Sequence, residues 1–480
     1  MNRYITTTLP YVNADPHIGF ALETVQADTL ARAWRAQGDD VFFTTGTDEH
    51  GQKILQKAES EGREVQEYVN HYAAQFEKLR SALGLSYDAF VRTTGPAHIA
   101  AAQELWKRCM AAGDIYKKKY SGLYCVGDEA FVRESDLVNG RCPNHPDQEL
   151  VTIEEENYFF RFSAYQERLL SYLSQESVIV PEWRRKEAVA FVEGGLDDFS
   201  VSREAARLSW GVPVPGDESQ VMYVWFDALA NYISTLGWPE DAEGNFKKFW
   251  MDGRTLQLAG KDQVRFQSLI WQAMLMSAGI KNTDQVFYHG FINSGGQKMS
   301  KSIGNVISPY ELTEKYGTDA TRYLLLRHVH PTEDTDVTWE RLDEWYTANL
   351  VNGLGNLVAR VMKLAEEHLD APVVSADAGL SLEKSILGSL AQFAFSEAVD
   401  HIWNLIAEGD EYMTARAPYK TIKVEETRGQ AKADIAELVK VLAKVAADLA
   451  PFMPQTSETI LAAVRENKKP ENLFPRLQEK

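Results

Sequence analysis

The chain begins with a β-type hydrophobic pattern that changes into a helical one. The segment NRYITTTLPYV is rich in apolar and β-branched residues, whereas FALETVQADTLARAWRAQG has the alanine, leucine and charge content of a helix that Gly38 ends. A second strand is predicted in DVFFTTGTDEHG. Strand, helix and strand in this order predict a βαβ unit, and such units build parallel sheets.

This α/β pattern stops near residue 116 and resumes near residue 219. The residues between them form short β-like runs, turns and a cysteine pair, which indicates an insertion. The segments QVMYVWFDALANYIS, TLQLAGKD and RFQSLIWQAMLMSAG then restore the α/β pattern. Ligands of open parallel sheets bind at the strand ends, so both halves are expected to border one crevice.

The last part of the chain has a helical pattern. No strand pattern continues after about Trp345, and in ADIAELVKVLAKVAADLAP the apolar residues recur at spacings of three and four up to Pro451. We therefore predict a separate α-helical domain.

Composition and charge narrow the class of protein. A chain of 480 residues is too long for one compact core. Of its residues, 44% are hydrophobic and 25% are charged, as in ordinary globular proteins. We find neither a signal-like N-terminus nor an apolar run of about 18 residues, so we expect a cytoplasmic protein without membrane segments. Three cysteines make no disulfide framework, and a net charge of −19 disfavours nonspecific binding to nucleic acid without excluding a local basic track.

Two short motifs point to phosphate chemistry. PHIG places His17 where a strand gives way to a helix, and GGQKMSKSIGN places Lys298 and Lys301 three apart on a loop flanked by glycines. A lone histidine at a turn is more often structural, and a surface lysine pair is normally only solvated. Two flexible ammonium groups on such a loop nevertheless suit a polyphosphate. Finding both motifs on either side of a split α/β domain is far more specific than either alone.

With these motifs the chain resembles the class I aminoacyl-tRNA synthetases, whose signatures read HIGH and KMSKS. Within that class it is similar to the methionyl-tRNA synthetases, on the strength of LPYVNADPHIG, TGTDEHGQKI, YVWFDALANYI, AGKDQVRFQSLIW and KMSKSIGNVISP. The resemblance covers essentially the whole chain. It implies an α/β fold in which a Rossmann-type doubly wound parallel sheet, split by a knuckle-containing insertion, precedes a C-terminal α-helical bundle.

The resemblance also implies five regions along the chain. These are the first half of the catalytic domain (1–115), a connective insertion with the knuckle (116–218), the second catalytic half (219–290), the KMSKS loop with a stem-contact region (291–345), and an α-helical anticodon-binding domain (346–480).

The implied activity is that of a methionine–tRNA ligase. It would activate methionine with ATP and Mg²⁺ and transfer the methionyl group to the 3′ end of tRNA(Met), the initiator included, as a monomer. Such chemistry builds charge on phosphate and requires positioned donors rather than a protein nucleophile. His17, Lys298 and Lys301 are the implied catalytic residues. The implied ATP contacts are Pro16, His17, Gly19, Phe20, Gly260, Asp262, Lys298, Met299, Ser300 and Lys301.

A methionine pocket should be aromatic and apolar with one anion for the ammonium group. The residues matching the family's pocket motifs are Leu9, Tyr11, Asp48, Trp225, Ala228, Tyr232, Gln267 and Trp271, of which Asp48 is the anion. On composition alone, each aromatic residue is more readily explained as core. Likewise, Gly260 and Asp262 could be only a turn at the end of a strand.

Two positions depart from the family pattern. Phe20 replaces the second signature histidine, and loss of one preorganised donor typically costs about 10²–10³ in rate. Three interpretations are open: another donor compensates for the missing histidine, the adenylation step is slower than in relatives, or adenylation has been lost. We favour compensation because the lysine loop, His17 and Asp48 are intact. Gln267 replaces a histidine near the methionine side chain, and glutamine donates and accepts but cannot titrate.

The insertion contains a candidate zinc site. Cys125, Cys142 and His145 match three of the family's four ligand positions, and Asp128 stands in place of a cysteine. Carboxylate is an acceptable but less usual ligand at structural zinc sites. The alternative is a metal-free knuckle with buried thiols.

The helical tail would contact the anticodon. Asn356 and Arg360 lie four apart, Asp410 replaces a family asparagine, and Tyr419 replaces a tryptophan that stacks on a base. A tyrosine still offers a stacking face. Helix packing and solvated charge explain Asn356 and Arg360 about as well. The basic runs YKKKY and WRRK are candidate phosphate contacts, although such runs are usually solvated surface.

Two other functions remain open at this point. One is a synthetase-like paralogue that binds methionine, nucleotide or tRNA without catalysis, and the other is an enzyme that adenylates for an acceptor other than tRNA. The intact lysine loop argues against the first, and the long helical domain argues against the second. Phe20, Asp410 and Tyr419 keep both possible.

Overall fold

The computed structural model describes residues 1–128, 130–132, 134–299, 305–375 and 379–477. Its strands, in chain order, are β1 (Asn2–Thr6), β2 (Asp40–Thr47), β3 (Ala89–Arg92), β4 (Ile115–Cys125), β5 (Ala130–Val132), β6 (Val151–Phe160), β7 (Ile179–Val180), β8 (Phe199–Ser200), β9 (Ser202–Glu204), β10 (Pro213–Val214), β11 (Asp217–Met222), β12 (Arg254–Gly260), β13 (Gln285–His289), β14 (Ile292–Ser294), β15 (Gln297–Lys298) and β16 (Thr335–Asp336).

Helices connect these strands and fill the C-terminal part. They are α1 (Ile18–Ala36), α2 (Gln52–Ser60), α3 (Val65–Ala82), α4 (Pro96–Ala111), α5 (Gln166–Leu173), α6 (Glu182–Glu193), α7 (Val224–Leu229), α8 (Asn231–Ser234), α9 (Trp271–Ser277), α10 (Pro309–Tyr316), α11 (Thr318–His328), α12 (Trp339–Trp345), α13 (Asn356–His368), α14 (Lys384–Ala391), α15 (Phe395–Arg416), α16 (Pro418–Thr421), α17 (Arg428–Leu449) and α18 (Pro454–Glu466). Wider π-helical turns occur at Phe246–Met251, Phe266–Ile270 and Tyr346–Gly355.

The chain forms two compact units. Unit 1 consists of Met1–Pro16, Asp40–Lys78 and Tyr87–His289, and unit 2 consists of His17–Asp39, Leu79–Ser86 and Gly290–Lys480. Within the described residues, no helix has both the length and the apolar character needed to cross a membrane. The five region boundaries stay a prediction.

Unit 1 is built on a six-stranded sheet with the order β3-β2-β1-β12-β13-β7. Every neighbouring pair is parallel. The strand order reverses between β1 and β12, where Ile5 lies opposite Leu256. The predicted doubly wound parallel sheet is therefore confirmed, and the carboxyl ends of β1 and β12 mark its switch point.

The insertion in unit 1 contains a second, antiparallel sheet with the order β5-β4-β6-β8. The lysine run of β4 lies opposite β6, with Lys119 facing Glu156. Lys117 Nζ lies 2.9 Å from Asp217 Oδ2, and Arg185 on α6 lies 2.6 Å from Glu182. Both basic runs thus have acidic partners within unit 1, which makes them weak candidates for phosphate contacts.

The core of unit 1 is rich in large aromatic side chains. Tyr4, Trp106, Trp250 and Trp271 have essentially no exposed surface. The ring of Trp250 contacts those of Tyr4 and Trp271, each with centroids 6.0 Å apart. This packing connects the start of the sheet to α9, the helix that follows the AGKD turn.

Unit 2 is mainly helical, as the periodicity of its C-terminal part predicts. The apolar stripe of α17 is buried at Ile435, Leu438, Val439, Leu442, Val445 and Leu449. Arg322 of α11 is also fully buried, donates to the carbonyls of Pro451 and Phe452, and lies 2.8 Å from Asp28 of α1. Burial would raise the pKa of Asp28, but Arg322 and Arg32 outweigh it and lower the pKa below its usual value. A buried ion pair therefore fixes α1 within this unit.

Candidate functional site

The PHIG turn forms the N-terminal cap of α1. His17 Nδ1 accepts a hydrogen bond from the Gly19 amide at 3.1 Å, so a neutral ring carries its proton on Nε2. A Cβ added at Gly19 would lie 2.9 Å from His17 Cε1, which explains why this position is glycine. The side chain of His17 is exposed. The turn therefore presents an N–H donor at the positive end of a helix, where anions bind well.

This turn is hydrogen-bonded to the segment that follows the KMSKS loop. The amide of Ile18 donates to the carbonyl of Ile307 at 3.1 Å, and both residues belong to unit 2. The Asn305 side chain donates to the Ser294 carbonyl at 3.2 Å, which connects the two sides of the loop at its base. The PHIG turn is therefore joined through the backbone to the segment that follows the KMSKS signature.

The loop itself starts as a tight hairpin. Gly295 and Gly296 join β14 to β15 with φ values of 64° and 73°, a conformation that favours glycine at both positions. Met299 follows β15 and is half-buried. Ser300 and Lys301 lie outside the described residues, as does the side chain of Lys298.

The other predicted ATP contacts are at strand and helix ends. Pro16 is buried, and Phe20 is half-buried in the first turn of α1, where its ring supplies no hydrogen-bond donor. Gly260 is the last residue of β12, and Asp262 is exposed on the turn after it. The side chain of Asp262 is thus exposed to solvent. Its contact with ATP and the compensation expected for Phe20 stay predictions.

The predicted anion of the methionine pocket follows β2. Asp48 is 3% exposed, and its amide donates to the Pro10 carbonyl while its own carbonyl accepts from Val12. Tyr11 and Asp48 pair as an isolated parallel bridge. The LPYV segment and the carboxylate are therefore neighbours at the carboxyl ends of β1 and β2.

The residues after Asp48 are held by buried polar contacts. Glu49 is fully buried and accepts from Arg92 at 2.6 and 2.9 Å and from Thr47 at 2.7 Å. His50 Nδ1 lies 2.7 Å from Asp227 Oδ2. Glu49, His50, Arg92 and Asp227 were not candidates from the sequence. Two sequence features could have indicated three of them. The polar run DEH, directly after a strand, contains Glu49 and His50, and the apolar helix pattern YVWFDAL contains the charged Asp227.

Asp227 is a buried carboxylate between two histidines. Its Oδ1 lies 2.8 Å from His98 Nε2, opposite the His50 contact. Burial raises the pKa of Asp227, but the interactions with His50 and His98 together outweigh burial and hold the pKa at about 2. The carboxylate is therefore ionised at neutral pH.

The aromatic residues predicted for the pocket fall into two contact pairs. The rings of Tyr11 and Trp225 meet edge to face at 6.5 Å, and Trp225 stacks on Phe266 at 3.9 Å. The Tyr232 hydroxyl donates to Gln267 Oε1 at 3.0 Å, and its ring lies 5.7 Å from Trp271.

These two groups differ in burial. Leu9, Tyr11 and Trp225 are half-buried, whereas Ala228, Tyr232, Gln267 and Trp271 are buried and the two aromatic residues also belong to the core. Gln267 Nε2 and Trp271 Nε1 are buried donors that find no acceptor among the described residues. Buried donors normally have a partner, so these two are the features that an added ligand atom would satisfy.

The candidate metal ligands converge in the insertion. One ligand atom each from Cys125, Asp128, Cys142 and His145 lies within 4.8 Å of all the others. Tetrahedral zinc, with ligands at about 2.0–2.3 Å, requires this kind of spacing. A Cβ added at Gly127 would lie 2.3 Å from the His145 ring, so the glycine gives the imidazole its place. Burial, and secondarily the Asp128 carboxylate, raises the pKa of Cys142 to about 12. Zinc deprotonates a coordinating thiol outright, so the spacing and the donor types still fit a zinc ion.

Two of the four predicted anticodon residues, Arg360 and Tyr419, border one cavity in unit 2. It has a volume of about 890 Å³ and is lined by Arg360 and Tyr419, and also by Lys363, Lys423, Arg428 and Lys432. Arg360 Nη1 lies 3.0 Å from Asp410 Oδ1, and Asn356 is exposed one turn before Arg360 on α13. The ring of Tyr419 is 38% exposed and open to stacking.

Comparison with known proteins places the chain in a family. A family model described as tRNA synthetases class I (M) matches residues 3–151 and 145–362, and one described as the anticodon binding domain of methionyl tRNA ligase matches residues 384–478. The methionine–tRNA ligase of Thermosynechococcus vestitus is 41% identical over 474 residues, which cover 95% of this chain and 88% of that one. That of Mycobacterium bovis is 39% identical over 478 residues and covers 95% and 91%.

Solved structures give the same relationship. The Mycobacterium tuberculosis methionyl-tRNA synthetase in complex with methionyl-adenylate matches with a TM-score of 0.88 at 37% identity, over 96% of this chain and 93% of that one. The apo form of that synthetase matches with a TM-score of 0.84 at 32% identity. Neither alternative function is favoured by these relatives. Because the similarity extends through both the catalytic and the anticodon-binding regions, the chain belongs to the methionyl-tRNA synthetase family of class I aminoacyl-tRNA ligases.

Proposed function

We propose that the protein is a methionine–tRNA ligase that forms methionyl-adenylate from methionine and ATP and transfers the methionyl group to the 3′ end of tRNA(Met), the initiator included. The observation that carries this proposal is the buried Asp48 carboxylate beside Tyr11, on the strand ends of a doubly wound sheet. A fixed anion next to aromatic surface matches an amino acid with a cationic ammonium and an uncharged, polarizable side chain. The ligase acts as a monomer in the cytoplasm.

Different residues of the methionine site bind the charged group and the side chain of the ligand. Asp48 receives the ammonium group, and Leu9, Tyr11 and Trp225 cover the ligand from the half-buried side. Tyr232 and Gln267 form the hydrogen-bonded floor with Ala228 and Trp271. The unpartnered donors Gln267 Nε2 and Trp271 Nε1 support this assignment, because the thioether sulfur of methionine can accept a weak hydrogen bond from such a donor.

The adenylation step depends on positioned donors. His17 donates from Nε2 to a phosphate oxygen, since Nδ1 is used by the Gly19 amide. Lys298 and Lys301, with Met299 and Ser300, cover the β- and γ-phosphates, and Pro16, Gly19, Phe20, Gly260 and Asp262 border the nucleotide. Mg²⁺ bound with ATP shares the phosphate charge.

The remaining sites serve RNA recognition and structure. Asn356, Arg360, Asp410 and Tyr419 contact the anticodon, and the exposed ring of Tyr419 supports a stacking role. Cys125, Asp128, Cys142 and His145 hold a structural zinc ion, which orders the knuckle. Metal analysis of the purified protein, with Asp128→Ala and Cys142→Ser as variants, should give one zinc per chain that both substitutions remove; a zinc-free wild type would contradict this site.

The proposal is tested by methionine-dependent exchange between pyrophosphate and ATP. Purified protein is assayed with methionine and with each other amino acid, and Phe20→His is assayed in parallel. We expect exchange with methionine only, and a change of less than about 10-fold for Phe20→His, since loss of an uncompensated donor would cost about 10²–10³. Charging of tRNA(Met) follows. Absence of exchange would support the noncatalytic paralogue, and exchange without charging would support another acceptor.

A further inference from the structure

Asp227 is a buried charged group that the proposed chemistry does not use. It is fully buried on α7, and its two oxygens accept from His50 Nδ1 at 2.7 Å and from His98 Nε2 at 2.8 Å. His98 Nδ1 lies 3.1 Å from the hydroxyl of Ser234. Both oxygens of Asp227 and both ring nitrogens of His98 thus have partners, as an ionised carboxylate in a protein interior requires of its surroundings.

The position of this carboxylate links the two sides of the methionine site. Asp227 is two residues after Trp225 and directly before Ala228, and His50 is two residues after Asp48. The elements concerned are far apart in the chain, and the hydrogen bond from His50 to Asp227 spans 177 positions. The ring of His50 also meets Trp210 edge to face at 5.4 Å, which limits its rotation.

The contact between His98 and Asp227 does not involve the loop that carries Asp48. His98 is on α4, and α7 is attached to α4 independently of it, because Phe226 packs against Trp106 with ring centroids 5.2 Å apart. Loss of His98 therefore leaves α7 in contact with α4. Loss of His50 removes the hydrogen bond from the Asp48 loop to α7.

We propose that Asp227 and His50 are positioning residues of the methionine site, which set the distance between the Asp48 carboxylate and the aromatic surface of Trp225. This inference rests on the proposed function. Methionine presents its ammonium group and its side chain to different elements, so affinity depends on the spacing of those elements. A misplacement of about 1 Å in such a site can cost about 10²-fold.

The test compares His50 with His98, since each donates one hydrogen bond to the same carboxylate. Binding of methionine alone is measured by calorimetry, and thermal unfolding is measured in parallel. We expect His50→Ala to weaken methionine binding by about 10- to 100-fold. We expect His98→Ala to lower the melting temperature about as much as His50→Ala does, but to change methionine binding by less than about 3-fold.

The conservative variants supply the second readout. The amide nitrogen of asparagine occupies the place of histidine Nδ1, so His50→Asn should restore most of the affinity and His50→Gln should not. This pair keeps the test decisive even where His50→Ala fails to fold. In exchange assays the KM for methionine should rise in His50→Gln while the KM for ATP stays constant.

Three results would overturn the inference. These are wild-type affinity in His50→Gln, equal losses of methionine affinity in the His50 and His98 variants, and a rise in the KM for ATP as large as that for methionine. A wild-type protein that binds no methionine at all would instead contradict the proposed function.

Discussion

The loop after β2 and the cavity around Tyr419, two regions proposed to bind ligands, are held together in different ways. In unit 1, the residues after Asp48 are fixed by buried contacts, with Glu49 fully buried and paired to Arg92. In unit 2, the charges around the cavity are exposed, and the Arg360–Asp410 pair is 37% and 43% exposed. From this difference in burial we expect the first arrangement to be rigid before any ligand binds and the second to be adjustable.

This difference suits the proposed ligands. A small amino acid offers few contacts, so its selection depends on accurate spacing, and differences of one methyl group amount to only about 1–3 kcal/mol. An RNA loop offers many phosphate and base contacts, each modest and sensitive to salt. We therefore expect substitutions to have large effects around Asp48 and small ones around Arg360.

The largest effect is expected for Glu49→Ala. The substitution leaves Thr47, Thr94 and Arg92 without their buried acceptor. Because the Arg92 side chain is 34% exposed and solvent can reach it, the free energy of unfolding should fall by about 3 kcal/mol. Urea titration measures this change. Glu104→Ala is the matched control in the same unit, because its ion pair with Arg108 is exposed and should contribute at most about 1 kcal/mol. Equal losses for both variants would remove the contrast between buried and exposed pairs.

The next effect concerns the PHIG turn, which is exposed but has fixed geometry. Gly19→Ala places a Cβ 2.9 Å from His17 Cε1 and displaces the ring from its capping bond. We expect the exchange rate to fall by about 10²-fold while the KM for methionine stays constant.

The control for this variant is Gly388→Ala on α14, where an added Cβ meets no atom within 4 Å and should be harmless. An unchanged rate in Gly19→Ala would mean that the position of His17 has no part in the reaction.

A smaller effect is expected at Tyr419. Removal of the exposed ring in Tyr419→Ala should raise the KM for tRNA by about 10- to 100-fold, since stacking on one base contributes about 1–3 kcal/mol. Methionine-dependent exchange without tRNA should be unchanged. Tyr419→Phe keeps the stacking face and should resemble the wild type. A loss of tRNA affinity in the phenylalanine variant equal to that in the alanine variant would instead assign the role to the hydroxyl group.

Most of the fold could be predicted from the sequence, because the patterns that indicate it are local. The β and helical periodicities, the insertion and the stripe of α17 all depend on neighbouring residues, and the parallel sheet follows from strand–helix–strand order. The chemistry-bearing residues Asp48, His17 and Tyr11 lie in long motifs with a strong family resemblance. The structure brings together the four knuckle residues that the family resemblance implies.

What the sequence could not supply are pairings between distant residues. Lys119 lies opposite Glu156 only through the register of β4 and β6, so YKKKY looks like a phosphate track until its partner strand is known. The contact between His50 and Asp227 likewise joins positions 177 apart. Burial is equally hidden, since Tyr11 and Trp271 are both aromatic candidates but only Trp271 is fully enclosed.

The smallest effect is expected for the ion pair between Arg360 and Asp410. Its two side chains lie 3.0 Å apart and are well exposed, so a double-mutant cycle with Arg360→Ala and Asp410→Ala should give a coupling of about 0.2–1 kcal/mol in urea titrations. The coupling should decrease further as salt is added, because exposed charges are screened. A coupling of several kcal/mol that persists in salt would mean that this pair is as preorganised as Glu49 with Arg92. In that case the two regions would share one strategy, and recognition of the RNA loop would depend on a fixed site rather than an adjustable one.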